Sequence, residues 1–236
     1  MAHRLDRFHQ HRATTRHALG WFGIAAASAV LAAFTLTCSA QSDPQAGLML
    51  RPDVTGMNGN PANWPVGNWY RVTSKAQALQ VRPVAAPLSA QGEEEAEAVD
   101  TRYIRVPGAR LAEGLLPMVA FPRGVLTPRI DHAYALTLDG TPFTLTVSNG
   151  LRNKAGVPYG DGAVYTVRIG DDSYSYHLPG GPGWESTVLA AADLDGDGKP
   201  DFIVQIGGQE VLLLSSQTQA GLNPPAAVLA LQTDGC

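Results

Sequence analysis

"YALTLDGTPFTLTVSNG", Tyr134 to Gly150, is written on a period of two. Tyr134, Leu136 and Leu138 share one face of an extended chain. Asp139 and Gly140 then supply turn chemistry, and Phe143, Leu145 and Val147 resume the alternation, which is the signal of a β-hairpin on both arms. The same signal recurs downstream. Tyr165, Val167 and Ile169 alternate with Val164, Thr166 and Arg168, "GDD" turns, and Tyr174, Tyr176 and Leu178 follow on the second arm. A third pair, "DFIVQI" and "QEVLLL" around Gly207 and Gly208, is more continuously apolar, which predicts strands buried on both faces. "ESTVLAAADL" is too short and too β-branched at its start for a helix and reads as loop or strand. "AAVLALQ" is a candidate last strand. The expected fold is mainly β, with antiparallel hairpins forming a sandwich or small open barrel.

Upstream, residues 41–100 read as an irregular N-terminal segment ending in an acidic linker. "MNGNPANWPVGNWYRV" is dense in Asn, Gly and Pro yet carries Trp64, Trp69 and Tyr70, and "NWYRVTSKAQALQVRPV" has room for one or two short strands. "APLSAQGEEEAEAVD" places Glu93, Glu94, Glu95 and Glu97 with no apolar partner face, the composition of solvated chain. The β domain is expected over residues 101–236.

Residues 1–40 have the tripartite pattern of a signal peptide. Arg4, Arg7, Arg12 and Arg16 stand against Asp6 alone, an apolar run follows from Ala18 to Thr37, and small residues around Cys38 and Ala40 suit a cut before Gln41. Two alternatives are an uncleaved anchor, the run being nearly long enough to span a bilayer, and a lipid anchor on Cys38. Each implies export, to the periplasm or beyond. Cleavage leaves 13 basic and 20 acidic residues, a net charge of −7, which disfavours nucleic acid and anionic membrane surfaces as partners. It also leaves Cys236 as the single thiol, so no internal disulfide can form and the core, or a metal, has to hold the chain together.

The chemistry concentrates in "AADLDGDGKPDFIV". Asp193, Asp195, Asp197 and Asp201 occupy the first, third, fifth and ninth places of a loop with Gly198 at the sixth. Alternate residues present oxygens to one side, glycine permits the bend, and the Lys199 carbonyl is turned inward as a neutral ligand. This set of hard oxygens points to Ca²⁺. An EF-hand is excluded, because its twelfth place needs a bidentate Glu and holds Val204 here, and because a strand rather than a helix follows. The segment resembles the calcium-binding loop of FG-GAP and VCBS-type repeats, the integrin alpha N-terminal type, in single copy. The ending "LLLSSQTQAG" after it is similar to exported bacterial proteins that carry one such loop. The resemblance implies that Asp193, Asp195, Asp197, the Lys199 carbonyl and Asp201 bind Ca²⁺. A propeller of about 4 or more blades does not fit this length.

Signals of catalysis are sparse. His132 and His177 fit no zinc spacing, and there is no nucleophile elbow, P-loop or dinucleotide fingerprint. His177 reads as an exposed strand residue. Tyr174, Tyr176 and Trp184 could form an aromatic platform for a sugar or peptide, although core packing is the preferred reading. The sequence therefore leads to an exported calcium-binding β protein with a structural or binding role in the cell envelope, its partner an envelope protein or a glycan. The alternative is a calcium-dependent hydrolase acting on glycans, with Asp131, Asp161 and Glu185 as its acids. A third reading is an accessory subunit that docks through its N-terminal aromatic segment.

Overall fold

A computed structural model describes residues 47–51, 64–84, 100–148, 151–152, 154–155, 158–159, 163–178 and 185–229. The leader, the acidic run, Asp161, Trp184 and Cys236 lie outside them. The described residues belong to one compact unit that begins at Ala40. Among them no helix is long and apolar enough to cross a membrane.

The fold is mainly β, as the alternation predicts. The strands are β1 Leu48–Leu50, β2 Trp69–Lys75, β3 Ala78–Val84, β4 Thr101–Arg105, β5 Gly114–Pro117, β6 Ala133–Leu138, β7 Thr141–Ser148, β8 Leu151–Arg152 and β9 Pro158–Tyr159. They continue as β10 Ala163–Ile169, β11 Asp172–Leu178, β12 Ser186–Ala192, β13 Asp201–Ile206, β14 Gln209–Leu213, β15 Leu222–Asn223 and β16 Ala227–Leu229. A nine-stranded sheet runs β12-β13-β14-β16-β1-β4-β2-β3-β5, and a five-stranded sheet runs β15-β11-β10-β7-β6. Strands β8 and β9 form a ribbon of their own.

The nine-stranded sheet nearly closes on itself. Met118, just beyond β5, bridges Ala192 of β12 at the opposite edge, and the Val119 amide donates to the Ala191 carbonyl at 2.9 Å. Farther along, Leu126 and Val188 exchange both backbone bonds, at 3.0 and 2.7 Å. Inside this barrel-like sheet lies one apolar core, including Met49, Val72, Leu79, Ile104, Ile203 and Leu212. A second core fills the space between β12–β14 and the five-stranded sheet, including Leu145, Tyr165, Tyr176, Phe202, Val204 and Val211.

Strands β13 and β14 thus serve two cores. Ile203 and Leu212 face the barrel interior while Phe202, Val204, Val211 and Leu213 face the second sheet. Their apolar runs have this cause, since Phe202–Val204 and Val211–Leu213 are buried on both faces. In β12 the register shifts between Val188 and Ala190. This bulge puts Val188 and Ala191 on the same side, against the second sheet.

The N-terminal segment is more regular than its composition suggests. Strands β2 and β3 are seven residues each and form a full hairpin, Trp69 opposite Val84 through Lys75 opposite Ala78. Strand β2 pairs with β4 and β3 with β5, while β1 joins β4 to β16, the last pairing being parallel. Outside the barrel wall Trp64 packs on Trp69 and Tyr103, with ring centroids 4.7 and 5.0 Å apart, and the Trp69 indole donates to the Pro65 carbonyl. The aromatics of this segment are buried in the chain's own fold.

Candidate metal centre

Strands β12 and β13 end as a matched pair, Ala192 opposite Asp201, and residues 193–200 make the excursion between them. The loop has to reverse within a few residues, and Gly196 and Gly198 take positive φ of 78° and 81° to do so. Only glycine adopts such angles without steric cost, so the sixth-place glycine has the role its position implied.

Side-chain oxygens knit the loop to its own backbone. Asp193 accepts from the Gly196 amide at 2.8 Å and the Gly198 amide at 3.0 Å, and Asp197 accepts from the Lys199 amide at 2.8 Å. These bonds hold Asp193, Asp195 and Asp197 facing one another, with one oxygen from each lying within 4.8 Å of the other two. Among the described residues it is the one group of three or more acidic, His or Cys side chains arranged so. Two ionised carboxylates at that separation repel by about 0.9 kcal/mol even at the dielectric constant of water. Lys199, the nearest cation in sequence, points elsewhere, with its Nζ 3.7 Å from Asp172 and 6.0 Å from the centroid of the Tyr174 ring. Burial, and secondarily the Asp197 charge, raise the Asp195 carboxyl above the usual carboxylate range, while a hydrogen bond from Ser216 opposes them.

Asp201 stands outside that trio. It is fully buried at the first position of β13, and each of its oxygens already accepts two bonds. Oδ2 takes the Leu194 amide at 2.7 Å and the Asp195 amide at 3.2 Å, and Oδ1 takes the Ser215 amide at 2.7 Å and hydroxyl at 2.8 Å. In this structure it is the anchor that fixes where the loop leaves the sheet. Burial, reinforced by the Asp195 charge, pushes its carboxyl well up, although the Ser215 amide and hydroxyl and the Leu194 amide hold it down.

Ser215 and Ser216, which carried no metal signal in the sequence, complete the arrangement. They open a one-turn 3₁₀ helix, Ser215–Gln217, directly after β14. The Ser215 hydroxyl lies 2.9 Å from Asp197 as well as 2.8 Å from Asp201, and having one proton it can donate to only one of them at a time. Ser216 donates to Asp195. "LLLSSQ" shows in retrospect where they come from: a strand that ends beside the loop, followed at once by two hydroxyls.

Two hollows flank the loop. One lies between Asp193, Gly198 and the β6–β7 turn at Asp139. The other is lined by Arg110, Asp195, Asp197, Ser216 and Gln217. Of the further acids considered above, Asp161 lies outside the described residues, and Asp131 and Glu185 line neither hollow. Asp131 precedes β6 and Glu185 precedes β12, each at the end of its strand away from the loop. His177 is exposed, and His132 packs edge-on against Tyr134, 4.5 Å between centroids. Tyr174 and Tyr176 are buried in the core between the sheets, where Tyr174 donates its hydroxyl to the Pro200 carbonyl at 3.2 Å. No protein-family model, curated protein or solved structure matches the chain.

Proposed function

We propose that this is an exported calcium-binding β protein in which one Ca²⁺, held by the 193–201 loop, stiffens the junction of β12, β13 and the 3₁₀ turn. Its role is structural or binding, in the cell envelope, toward an envelope protein or a glycan. The observation that carries the reading is the convergence of Asp193, Asp195 and Asp197 on one point. Nothing in the loop's own hydrogen bonding requires three like charges there. Hard carboxylate oxygens in that number suit Ca²⁺ in preference to softer metals. The Lys199 carbonyl and Asp201 belong to the ligand set that the FG-GAP-like spacing implies. Asp201 also fixes the loop's base through the bonds it accepts from Leu194, Asp195 and Ser215.

The expected benefit is modest. Extracellular calcium modules bind at about 10⁻⁴ to 10⁻³ M, so about 1 mM calcium stabilises by about 0.4 to 1.4 kcal/mol. For a domain of this size that raises the melting temperature by about 1 to 5 °C over the value in chelator. Calorimetric titration with calcium, paired with melting curves in calcium and in EGTA, tests the proposal. An unchanged melting temperature and no binding heat in the wild-type protein would end the metal reading. Asp195→Ala is expected to abolish both responses while the protein stays folded. A glycan-hydrolysing reading would need a second acid near the loop, and the placement of Asp131 and Glu185 lends it no support.

A further inference from the structure

The nine-stranded sheet closes along a seam between β5 and β12, and the seam is thin. On one side β12 has six registered pairs with β13. On the other it has two isolated bridges, Met118 to Ala192 and Leu126 to Val188. Between the two, the segment that follows β5 turns away from the edge, with the Gly124 amide donating to the Phe121 carbonyl at 2.9 Å. The same segment covers apolar groups, since Leu111, Val119 and Phe121 are all buried. Backbone joined by few bonds opens at a lower free energy than backbone in a full ladder.

The candidate metal loop grows out of this seam. Asp193 directly follows Ala192, the bridged residue, and the Leu194 carbonyl accepts from the Ala112 amide across the seam at 2.7 Å. Leu194 is held twice more, by its amide, which donates to Asp201 at 2.7 Å, and by its side chain, which is buried in the barrel core. It stands between Asp193 and Asp195, two of the three carboxylates that face one another. A cation that fixes both neighbours also fixes the Leu194 peptide units, and with them the bond to Ala112.

We infer that the loop is the latch of the barrel. Calcium on Asp193, Asp195 and Asp197 holds the bond between Leu194 and Ala112 and so keeps the seam between β5 and β12 closed. Loss of the metal lets the seam open from that end as a unit while the ladders elsewhere in the sheet stay paired. The inference rests on the calcium reading and gives the site a regulatory sense, because the apolar groups under the seam become accessible only when calcium is low. An opening that has to release the metal is suppressed by a factor of 1 + [Ca²⁺]/Kd, about 2- to 10-fold in about 1 mM calcium at the affinities given above.

Amide hydrogen exchange followed residue by residue by NMR, in EGTA and in about 1 mM calcium, tests it when paired with the calorimetric titration. In EGTA the Val119, Leu126 and Val188 amides are expected to exchange faster than those of the β13–β14 ladder, and calcium to slow them by the factor above. In Asp195→Ala, calcium leaves them unchanged. Met118 and Ala192 face each other across an antiparallel bridge, and the Met118 amide is bonded to the Gln77 carbonyl instead, which makes them the closer, non-hydrogen-bonded kind of pair. A disulfide between Met118→Cys and Ala192→Cys, in a background of Cys38→Ser and Cys236→Ser, is therefore expected to remove the calcium effect on seam exchange while the binding heat persists. Binding heat with unchanged seam exchange in the wild-type protein overturns the latch and leaves the metal reading standing, whereas absence of heat ends both. Seam amides that exchange no faster in EGTA than those of the β13–β14 ladder also overturn it, because the seam would then open only with the whole fold. If the cysteine variant does not fold, exchange in the wild-type protein still decides.

Discussion

A single buried carboxylate organises the loop. Asp201 joins four donors from two separate segments, so its removal strands the Leu194 and Ser215 amides without water to replace it. Each such buried donor costs about 1 to 3 kcal/mol. Asp201→Ala is expected to destabilise by about 3 kcal/mol or more in EGTA, measured by urea unfolding. Asp193→Ala, which removes a half-exposed charge from a repelling trio, is expected to cost under about 1 kcal/mol in EGTA and to lose the calcium response. Equal losses in the two variants would contradict the division between anchor and metal-facing groups. The raised Asp195 carboxyl adds a pH signature. A folded-state value above the unfolded one means that the metal-free fold binds the proton more tightly. The stabilisation is complete below the unfolded value and is lost as pH rises through the folded one. The metal-free melting temperature of wild type should therefore fall more steeply than that of Asp195→Asn as pH rises above the ordinary aspartate value of about 4, and identical slopes would refute this. Calcium competes with that proton, so its stabilising effect grows over the same window.

At the scale of elements, legibility depended on turn chemistry and unbroken period. The β6–β7 hairpin was readable because Asp139 and Gly140 both take positive φ, 45° and 81°, and both residue types announce it. The two-faced burial of β13 and β14 was readable from apolar runs. The aspartates at alternate places were readable too, whereas Ser215 and Ser216 come from the far end of β14 and only the fold brings them to the loop. Strand β12 was obscured because its bulge breaks the alternation. The β2–β3 hairpin was obscured because its turn is Ala76-Gln77, with no Gly, Asn or Pro to mark it. Ala76 nevertheless sits at φ 33°, in left-handed space. That conformation costs a residue bearing a Cβ about 1 to 2 kcal/mol, and the extra unfolded-state freedom of glycine returns about 0.4 to 1 kcal/mol. Ala76→Gly is therefore expected to stabilise by about 0.5 to 1 kcal/mol, read as a higher urea midpoint with an unchanged slope. A lower midpoint would mean that the turn is not strained.

For the whole molecule, closure is the property that local pattern could not disclose. The sheet is completed by pairing β1 with β16 across nearly the full described chain, and by the bridge from Met118 to Ala192. Hydrophobic alternation marks a strand's faces but carries no record of its neighbours. A boundary drawn near residue 100 from composition thus falls between strands that pair with each other, β2 with β4 and β3 with β5. The same closure explains a buried ion pair. Arg102 of β4 and Glu210 of β14 are separated by β1 and β16 in the sheet, yet both point into the barrel, where Arg102 binds both carboxylate oxygens of Glu210. Arg51, at the end of β1, lies 3.7 Å from the same carboxylate. Removing one partner leaves an uncompensated buried charge, worth about 3 to 5 kcal/mol, whereas an apolar pair of similar volume is often neutral or better. Glu210→Leu alone is expected to lower unfolding free energy by about that amount, and Arg102→Met added to it to restore most of the loss, Arg51 being near enough to solvent to find water instead. Chemical denaturation of the two single variants and the double variant measures the coupling. Additive losses would show that the two charges do not depend on each other and that the barrel end is held by packing alone.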